Sequence, residues 1–273
     1  MKTFALALSA GGARGLAHIA VIEALDEIGI KPVAIAGTSI GALIGAGYAA
    51  GMRGKDIRRH VTGFAHDRGE TMRRLIAARA GSLTNVFAGA FGQAAQIDAE
   101  KFCAQFLPEG VPQEFSGFAI PLIVMTTDLH RREEAALCAG PLHAALAASI
   151  AIPGLFRPVA IAERVLIDGG TTNPLPFDRL HGQADVIVAI DVLGQPPSER
   201  ADIPGPWASV IATLNIMGSA IVTAKLALNP PDIVIRPNVG IFRTLDFYQA
   251  TAILRAANAV KAEIKEQLER LLA

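Results

Sequence analysis

The stretch Pro32-Val33-Ala34-Ile35-Ala36-Gly37-Thr38-Ser39-Ile40-Gly41-Ala42 decides the fold. An apolar, β-branched run leads into Gly37, and a small-residue segment from Ala42 to Gly51 follows Gly41. That order predicts strand, sharp turn and helix, with Ser39 at the turn of a G-x-S-x-G pattern. At such an elbow the hydroxyl is lifted clear of the sheet edge. Gly37 and Gly41 leave space where any Cβ would strike the adjoining strand or helix. Ser39 also falls at a helix N-terminus, whose free N–H groups and dipole favour developing negative charge. Two readings of this serine stand: an exposed nucleophile, or an ordinary N-cap.

Upstream, Phe4 to Ala10 reads as the first strand and ends in Gly11-Gly12-Ala13-Arg14-Gly15. A helix with an apolar face of Leu16, Ile19, Ala20, Ile22 and Leu25 then runs to about Gly29. A strand–glycine loop–helix unit offers backbone N–H groups to an anion. One such anion is a dinucleotide pyrophosphate, since residues 10–15 match G-x-G-x-x-G except that Ala10 fills the first place. The other is the oxyanion of an acyl-transfer intermediate. A dinucleotide site wants an acidic residue about 20 positions further on. The second strand ends instead in Gly37-Thr38-Ser39, which favours the oxyanion.

Downstream, Arg53 to Arg79 holds eight Lys/Arg against three Asp/Glu and reads as helical. It is either a solvated face or a surface turned toward anionic headgroups. His60 and His66 lie in it without ligand-like spacing and read as surface residues. Gly81 to Ala95 is uncharged, with Phe87 and Phe91, and is either core or an apolar flap. Phe118 to Thr127 and Glu134 to Cys138 read as strands, the first irregular near Pro121. A helix from Leu142 to about Ala148 ends at Ser149, which lacks flanking glycines and reads as a packing serine. Arg164 to Asp168 is a strand ending in Asp168-Gly169-Gly170, followed by Asn173-Pro174-Leu175-Pro176. An aspartate in that position can simply cap the loop beyond it, as Asp128 and Asp191 would after their own apolar runs. Val186 to Val192 and Asp232 to Arg236 complete the strands. Trp207 to Leu228 is nearly free of charge and long enough for a membrane span. Its polar interruptions and flanking prolines favour a helix packed on the sheet or buried in a subunit contact. Phe247 to Leu272 reads as one final amphipathic helix.

The whole chain of 273 residues is 51% hydrophobic and 18% charged, with a mean hydropathy of +0.38, enough for a large core. A net charge of zero argues against a general nucleic-acid binder. Cys103 and Cys138 stand singly in apolar segments and read as buried thiols rather than a disulfide or metal site. The apolar N-terminal run after Lys2 superficially looks like a secretory signal, yet it leads straight into a glycine turn, so a cytoplasmic protein is expected. Strands and helices alternate without repeat or linker. They predict a single α/β domain over residues 1–273, with a mainly parallel sheet between helical layers and the site beyond the strand C-termini.

A serine nucleophile needs a base. Downstream of Asp168 the one histidine is His181, in what reads as a surface turn, so a Ser-acid-His triad is poorly supplied; His18 reads as a structural support for the glycine loop. The simpler arrangement is a dyad in which Asp168 accepts the Ser39 proton, which calls for burial to raise a carboxylate from about 3.9. No H-E-x-x-H or comparable cluster points to a metal.

Four ordered motifs together resemble the bacterial patatin-like phospholipases. They are Gly11-Gly12-Ala13-Arg14-Gly15, Gly37-Thr38-Ser39-Ile40-Gly41, Ala148-Ser149 with Pro153, and Asp168-Gly169-Gly170 with Asn173-Pro174-Leu175-Pro176. The resemblance implies a three-layer α/β/α fold with a mainly parallel central sheet, and a lipid acyl-ester substrate cleaved by a Ser39–Asp168 dyad without cofactor. It implies an oxyanion hole from the N–H groups of Gly11, Gly12 and Ala13, and assigns Arg14 either to the loop's shape or to a phosphate. The family usually carries a glycine where this chain has Ala10. A ligand-binding or regulatory protein with little hydrolase activity is the alternative on the same fold. Peripheral contact with an anionic membrane surface fits the basic stretch.

Overall fold

The computed structural model describes residues 2–65, 97–193 and 203–272. The segment 81–95, His66 and the basic residues from 68 to 79 lie outside the described residues. Among the described residues eight strands form one sheet: β1 (Phe4–Leu8), β2 (Ala34–Thr38), β3 (Leu122–Asp128), β4 (Glu133–Leu137), β5 (Val159–Ile161), β6 (Arg164–Asp168), β7 (Val186–Ile190) and β8 (Ile233–Ile235). The hydrogen-bonded path is β5-β6-β3-β2-β1-β7-β8, with β4 on β3. The five strands β3, β2, β1, β7 and β8 run parallel, and the additions to β3 are antiparallel. The described helices are α1 (His18–Glu27), α2 (Ile40–Ala49), α3 (residues 54–65), α4 (Ala99–Phe106), α5 (Leu142–Ser149), α6 (Pro206–Leu228), α7 (Ala250–Asn258) and α8 (Lys261–Leu272).

The alternation in β1 sets the layers. Phe4, Leu6 and Leu8 face a large apolar layer built mainly on α1, α2 and α5, while Ala5 and Ala7 face the opposite way. On that alanine face the neighbours Ala34, Ala36 and Ala189 are equally small, so Leu175, Phe177 and Leu180 lie close against the sheet, with Val222 of α6 beyond. Strand β1 stops at Leu8, two residues before the expected end, because the Ala10 amide turns away to donate to Pro174 O at 2.8 Å. The final helix is broken. Tight turns at Ala259 and Val260 re-aim the chain so that Ile264 and Leu268 bury and Lys261 pairs with Glu23 and Glu27 of α1.

One expectation is corrected here. Cys103 is buried but Cys138 is exposed, since β4 is a partly exposed strand on the antiparallel side of β3. Helix α6 meets the rest of the protein along one side, where Val222 and Leu226 join the alanine-face cluster, and only 17% of its most apolar window is buried. Its inner side, with Ile211, Gly218 and Val222 buried and Leu214, Asn215, Lys225 and Leu226 half-buried, meets the protein, and the opposite side faces outward.

The pairing around β3 positions the site. Val124 and Met125 pair with β2 on one side and β4 on the other. Thr126 to Asp128 also pair with β4, and their other side takes β6. Strands β2 and β6 therefore share one edge of β3 and meet end to end. Thr38 lies opposite Met125, and Asp168 lies opposite Thr126. The residue after β2 and the last residue of β6 are thus brought together by two consecutive residues of a third strand.

Candidate active site

Ser39 follows β2 with φ 55 and ψ −123, a left-handed conformation that costs a residue bearing a Cβ. Its hydroxyl does not cap α2, which disposes of the ordinary N-cap reading. It donates to Asp168 Oδ2 at 2.8 Å. Three contacts hold the elbow. The Ser39 amide donates to Ser149 Oγ at 2.8 Å, and that hydroxyl donates to Met125 O at 2.6 Å. Thr38 Oγ1 donates to Asn173 O at 2.8 Å. Beneath them α2 crosses β1 so closely that a Cβ on Gly41 would lie 2.4 Å from Leu8 O. Gly37 is equally confined, against the first turn of α2.

Asp168 is buried, and burial pushes its carboxyl up to about 6, with the Gly170 amide and the Ser39 hydroxyl pulling the other way. Oδ1 accepts the Gly170 N–H at 2.7 Å, so Oδ2 is left to face Ser39. Gly169 passes over β3, where a Cβ would meet Met125 O at 2.3 Å.

The glycine loop follows β1 and borders the same cavity as Ser39 and Asp168. Gly12 has φ +58, and a Cβ there would sit 2.2 Å from Thr244 O. Among the described residues the amides of Gly11 and Gly12 donate to no protein group. The Ala13 amide differs from expectation: it donates to Thr244 O at 2.7 Å, because the first turn of the following 3₁₀ segment swings it toward the 241–246 loop. Ala10 likewise offers no amide, its N–H being held by Pro174.

Arg14 is buried and bound within the protein. It donates to Leu193 O at 2.8 Å, to Asn215 Oδ1 at 2.7 Å and, more weakly, to Gly11 O at 3.4 Å. These bonds tie the glycine loop to Leu193 and to α6. His18 donates from Nε2 to Ser9 O at 2.9 Å, and complete burial drives its pKa down to about 4, which keeps it neutral. His60 is not simply a surface residue: its Nε2 meets Phe106 O at 2.6 Å. His181 lies five residues before the start of β7 and contacts Asn229, four residues before β8. Both strands run parallel to β2, so His181 sits at the opposite end of the sheet from Ser39, about 16 Å of strand away. Among the described residues no three His, Cys, Asp or Glu side chains gather as a metal site.

Two cavities meet at Ser39. One contains Asp168 and Gly11 and is walled by α6 through Leu214, Asn215 and Met217. The other is almost wholly apolar, lined by Leu43, Phe64, Phe102, Phe106 and Phe156, and also touches Gly12. A serine hydroxyl, a buried carboxylate and unpaired amides therefore stand at the junction of an apolar chamber and a mixed one. Ser149 is, as expected, a buried serine at a helix end, and its added role in holding the Ser39 amide is one that the Ala148-Ser149 motif did not specify.

The family model for patatin-like phospholipase matches residues 6–181. An uncharacterized NTE family protein, Rv1063c of Mycobacterium tuberculosis, is 36% identical over 199 residues, covering 72% of this chain and 51% of its own. Lysophospholipase nte1 of Aspergillus niger is 28% identical over 292 residues, covering 98% of this chain and 18% of its own. The chain thus spans about half the length of the mycobacterial relative and a smaller part of the fungal one. The crystal structure of VipD from Legionella pneumophila shares the fold, with a TM-score of 0.52 at 15% identity, over 97% of this chain and 67% of VipD. The chain belongs to the patatin-like phospholipase family.

Proposed function

We propose that the protein is a serine acyl hydrolase acting on lipid esters, with Ser39 as nucleophile, Asp168 as base and the Gly11 and Gly12 amides as oxyanion donors. The single observation that carries this reading is the 2.8 Å hydrogen bond from Ser39 to a buried Asp168 beside two unpaired amides. Asp168 takes the hydroxyl proton as Ser39 Oγ attacks the ester carbonyl. The carbonyl oxygen becomes an alkoxide held by the glycine amides. Its collapse breaks the ester C–O bond, and Asp168 returns the proton to the departing alcohol, leaving acyl-Ser39. Water then attacks the acyl carbon, gives its proton to Asp168, and the collapse frees the fatty acid and restores Ser39. An aspartate raised to about 6 suits both halves, being ionised at neutral pH yet basic enough to accept a proton. The apolar chamber suits the acyl chain, and the chamber along α6 suits the alcohol.

The family and the Aspergillus lysophospholipase support a lipid ester over a small soluble one. The test is hydrolysis of p-nitrophenyl esters and lysophosphatidylcholine by the pure protein and Ser39→Ala, together with fluorophosphonate labelling. Turnover and labelling that vanish in the folded variant are expected. Unchanged turnover removes the nucleophile assignment, and absence of both in the unmodified protein favours a binding role.

A further inference from the structure

Helix α6 breaks the pattern that the other surface helices follow. From 261 to 270 on α8, four of the five exposed positions are charged: Glu263, Glu266, Glu269 and Arg270. On α6 the exposed positions between 208 and 228 are Ala, Val, Thr, Ile, Met and Leu, with no charge among them. A helix face turned to water carries polar and charged side chains; one lacking them is covered by something apolar. Among the described residues nine large apolar side chains are left exposed. Seven lie on or just before α6 or in the 241–248 stretch, led by Ile203, Val210, Ile216, Met217 and Ile241. Thr244 bonds Asn215 of α6, so the 241–248 stretch and the middle of the helix lie on one side of the molecule.

That side is the mouth of the candidate site. Met217 is 52% exposed and also lines the chamber that holds Ser39 and Asp168. The helix is anchored from within. Asn215 accepts from Arg14. Gly218 packs near Pro174. Lys225 bonds Asp178 at 2.6 Å. By length and hydropathy α6 is able to cross a membrane, but these ties hold its inner stripe on the sheet and leave only the outer face for contact.

We infer that the outer face of α6, with Ile203 and Ile241 beside it, is a docking surface for a lipid bilayer, laid on the membrane so that substrate passes from the lipid to Ser39 along Met217. The choice of occupant rests on the lipid-ester reading. The uncharged face selects apolar insertion rather than headgroup charge. A protein partner seated there would stand over the opening through which substrate and product move.

The experiment compares the full chain with Val210→Glu/Ile216→Glu, two exposed positions that do not line the chamber. It measures flotation with phosphatidylcholine vesicles, turnover of an acyl lipid in those vesicles, and turnover of soluble p-nitrophenyl butyrate. The unmodified protein is expected to bind zwitterionic vesicles with little dependence on salt. The double variant should bind at least about tenfold more weakly and lose vesicle turnover in proportion, with butyrate turnover retained. If the double variant misfolds by circular dichroism, Ile216→Ser is read in its place. Binding equal to the unmodified protein overturns the inference. So does binding confined to anionic vesicles and lost in high salt, or a dimer that the variant dissolves without altering vesicle binding. If no ester is hydrolysed and Ser39 is not labelled, the hydrolase reading fails, and the flotation result alone still decides the docking surface.

Discussion

Asp128, Asp168 and Asp191 all stand at or just beyond strand ends, and each accepts the backbone amide two residues on: His130, Gly170 and Leu193 respectively. This is the ordinary behaviour of an aspartate opening a turn. What separates Asp168 is its second oxygen, which faces Ser39, whereas the second oxygen of Asp191 accepts from Arg236. Burial without a cation leaves the Asp168 carboxyl at about 6, and two effects follow from that one cause. The proposed mechanism uses the carboxylate, so kcat/KM for a soluble ester should fall about tenfold per pH unit below about 6. A profile flat down to pH 4.5 would remove Asp168 as base. Stability runs the other way. The native state holds the proton more tightly than the unfolded chain, so stability falls as pH rises from 3.8 to about 6 and stays lower above it. Asp168→Asn should therefore be inactive yet more stable at pH 8, by up to about 3 kcal/mol, with the gain in Tm shrinking toward pH 4. Ser149 acts through the elbow rather than on substrate. Ser149→Ala leaves the Ser39 amide and Met125 carbonyl without their hydroxyl partner. It should cost about 1–3 kcal/mol and lower kcat more than it raises KM, with the pH midpoint unmoved.

At the scale of elements, the site is a consequence of β3. Strands β2 and β6 abut along one edge of it, and Met125 and Thr126 set the offset between Ser39 and Asp168. The glycines belong to this geometry. Gly41→Ala would place a methyl group on the Leu8 carbonyl, a backbone atom that cannot turn aside. A loss of about 3 kcal/mol or more is expected, read as a fall in Tm and in soluble expression. A triad would need a histidine at the same end of the sheet. His181 lies at the other end, where it contacts Asn229 and stacks edge-on with Phe177. His181→Ala should leave kcat/KM and its pH profile unchanged, and a large loss would demand a rearrangement of the 177–185 segment.

Across the molecule, Arg14 ties together parts of the chain that are remote in sequence. Its guanidinium joins the glycine loop to Leu193 beyond β7, to Asn215 on α6 and to the Thr244 hydroxyl at 3.5 Å. Thr244 in turn receives the Asn215 amide and the Ala13 N–H. The orientation of the Gly11 and Gly12 amides thus depends on where α6 sits. A lysine reaches only part of this fork. Arg14→Lys should lose about 3 kcal/mol and lower kcat on soluble esters, with fluorophosphonate labelling slowed but still confined to Ser39. The same linkage makes α6 a shared wall, its inner stripe holding the loop and its outer face bare of charge.

Local pattern determined a good deal. The alternation Phe-Ala-Leu-Ala-Leu in β1 set which face of the sheet carries the bulk of the core, because side chains alternate along any strand. The glycines around Ser39 marked an elbow, because only a residue without a Cβ fits so close to another backbone. Adjacent motifs pointed to the family, since their order survives without knowledge of contacts. Other outcomes depended on partners distant along the chain, and only the tertiary structure decided them. The motif order singled out Asp168 among three strand-end aspartates, but its 2.8 Å approach to Ser39, 129 positions away, came from the pairing on β3. The Ala13 amide was one of three equivalent donors until Thr244 claimed it. The apolar run of α6 read as a helix packed on the sheet or buried in a subunit contact, because hydropathy records what a helix is made of and not which way it faces. That direction comes from packing, and here the packing covers one side and leaves the opposite side outside.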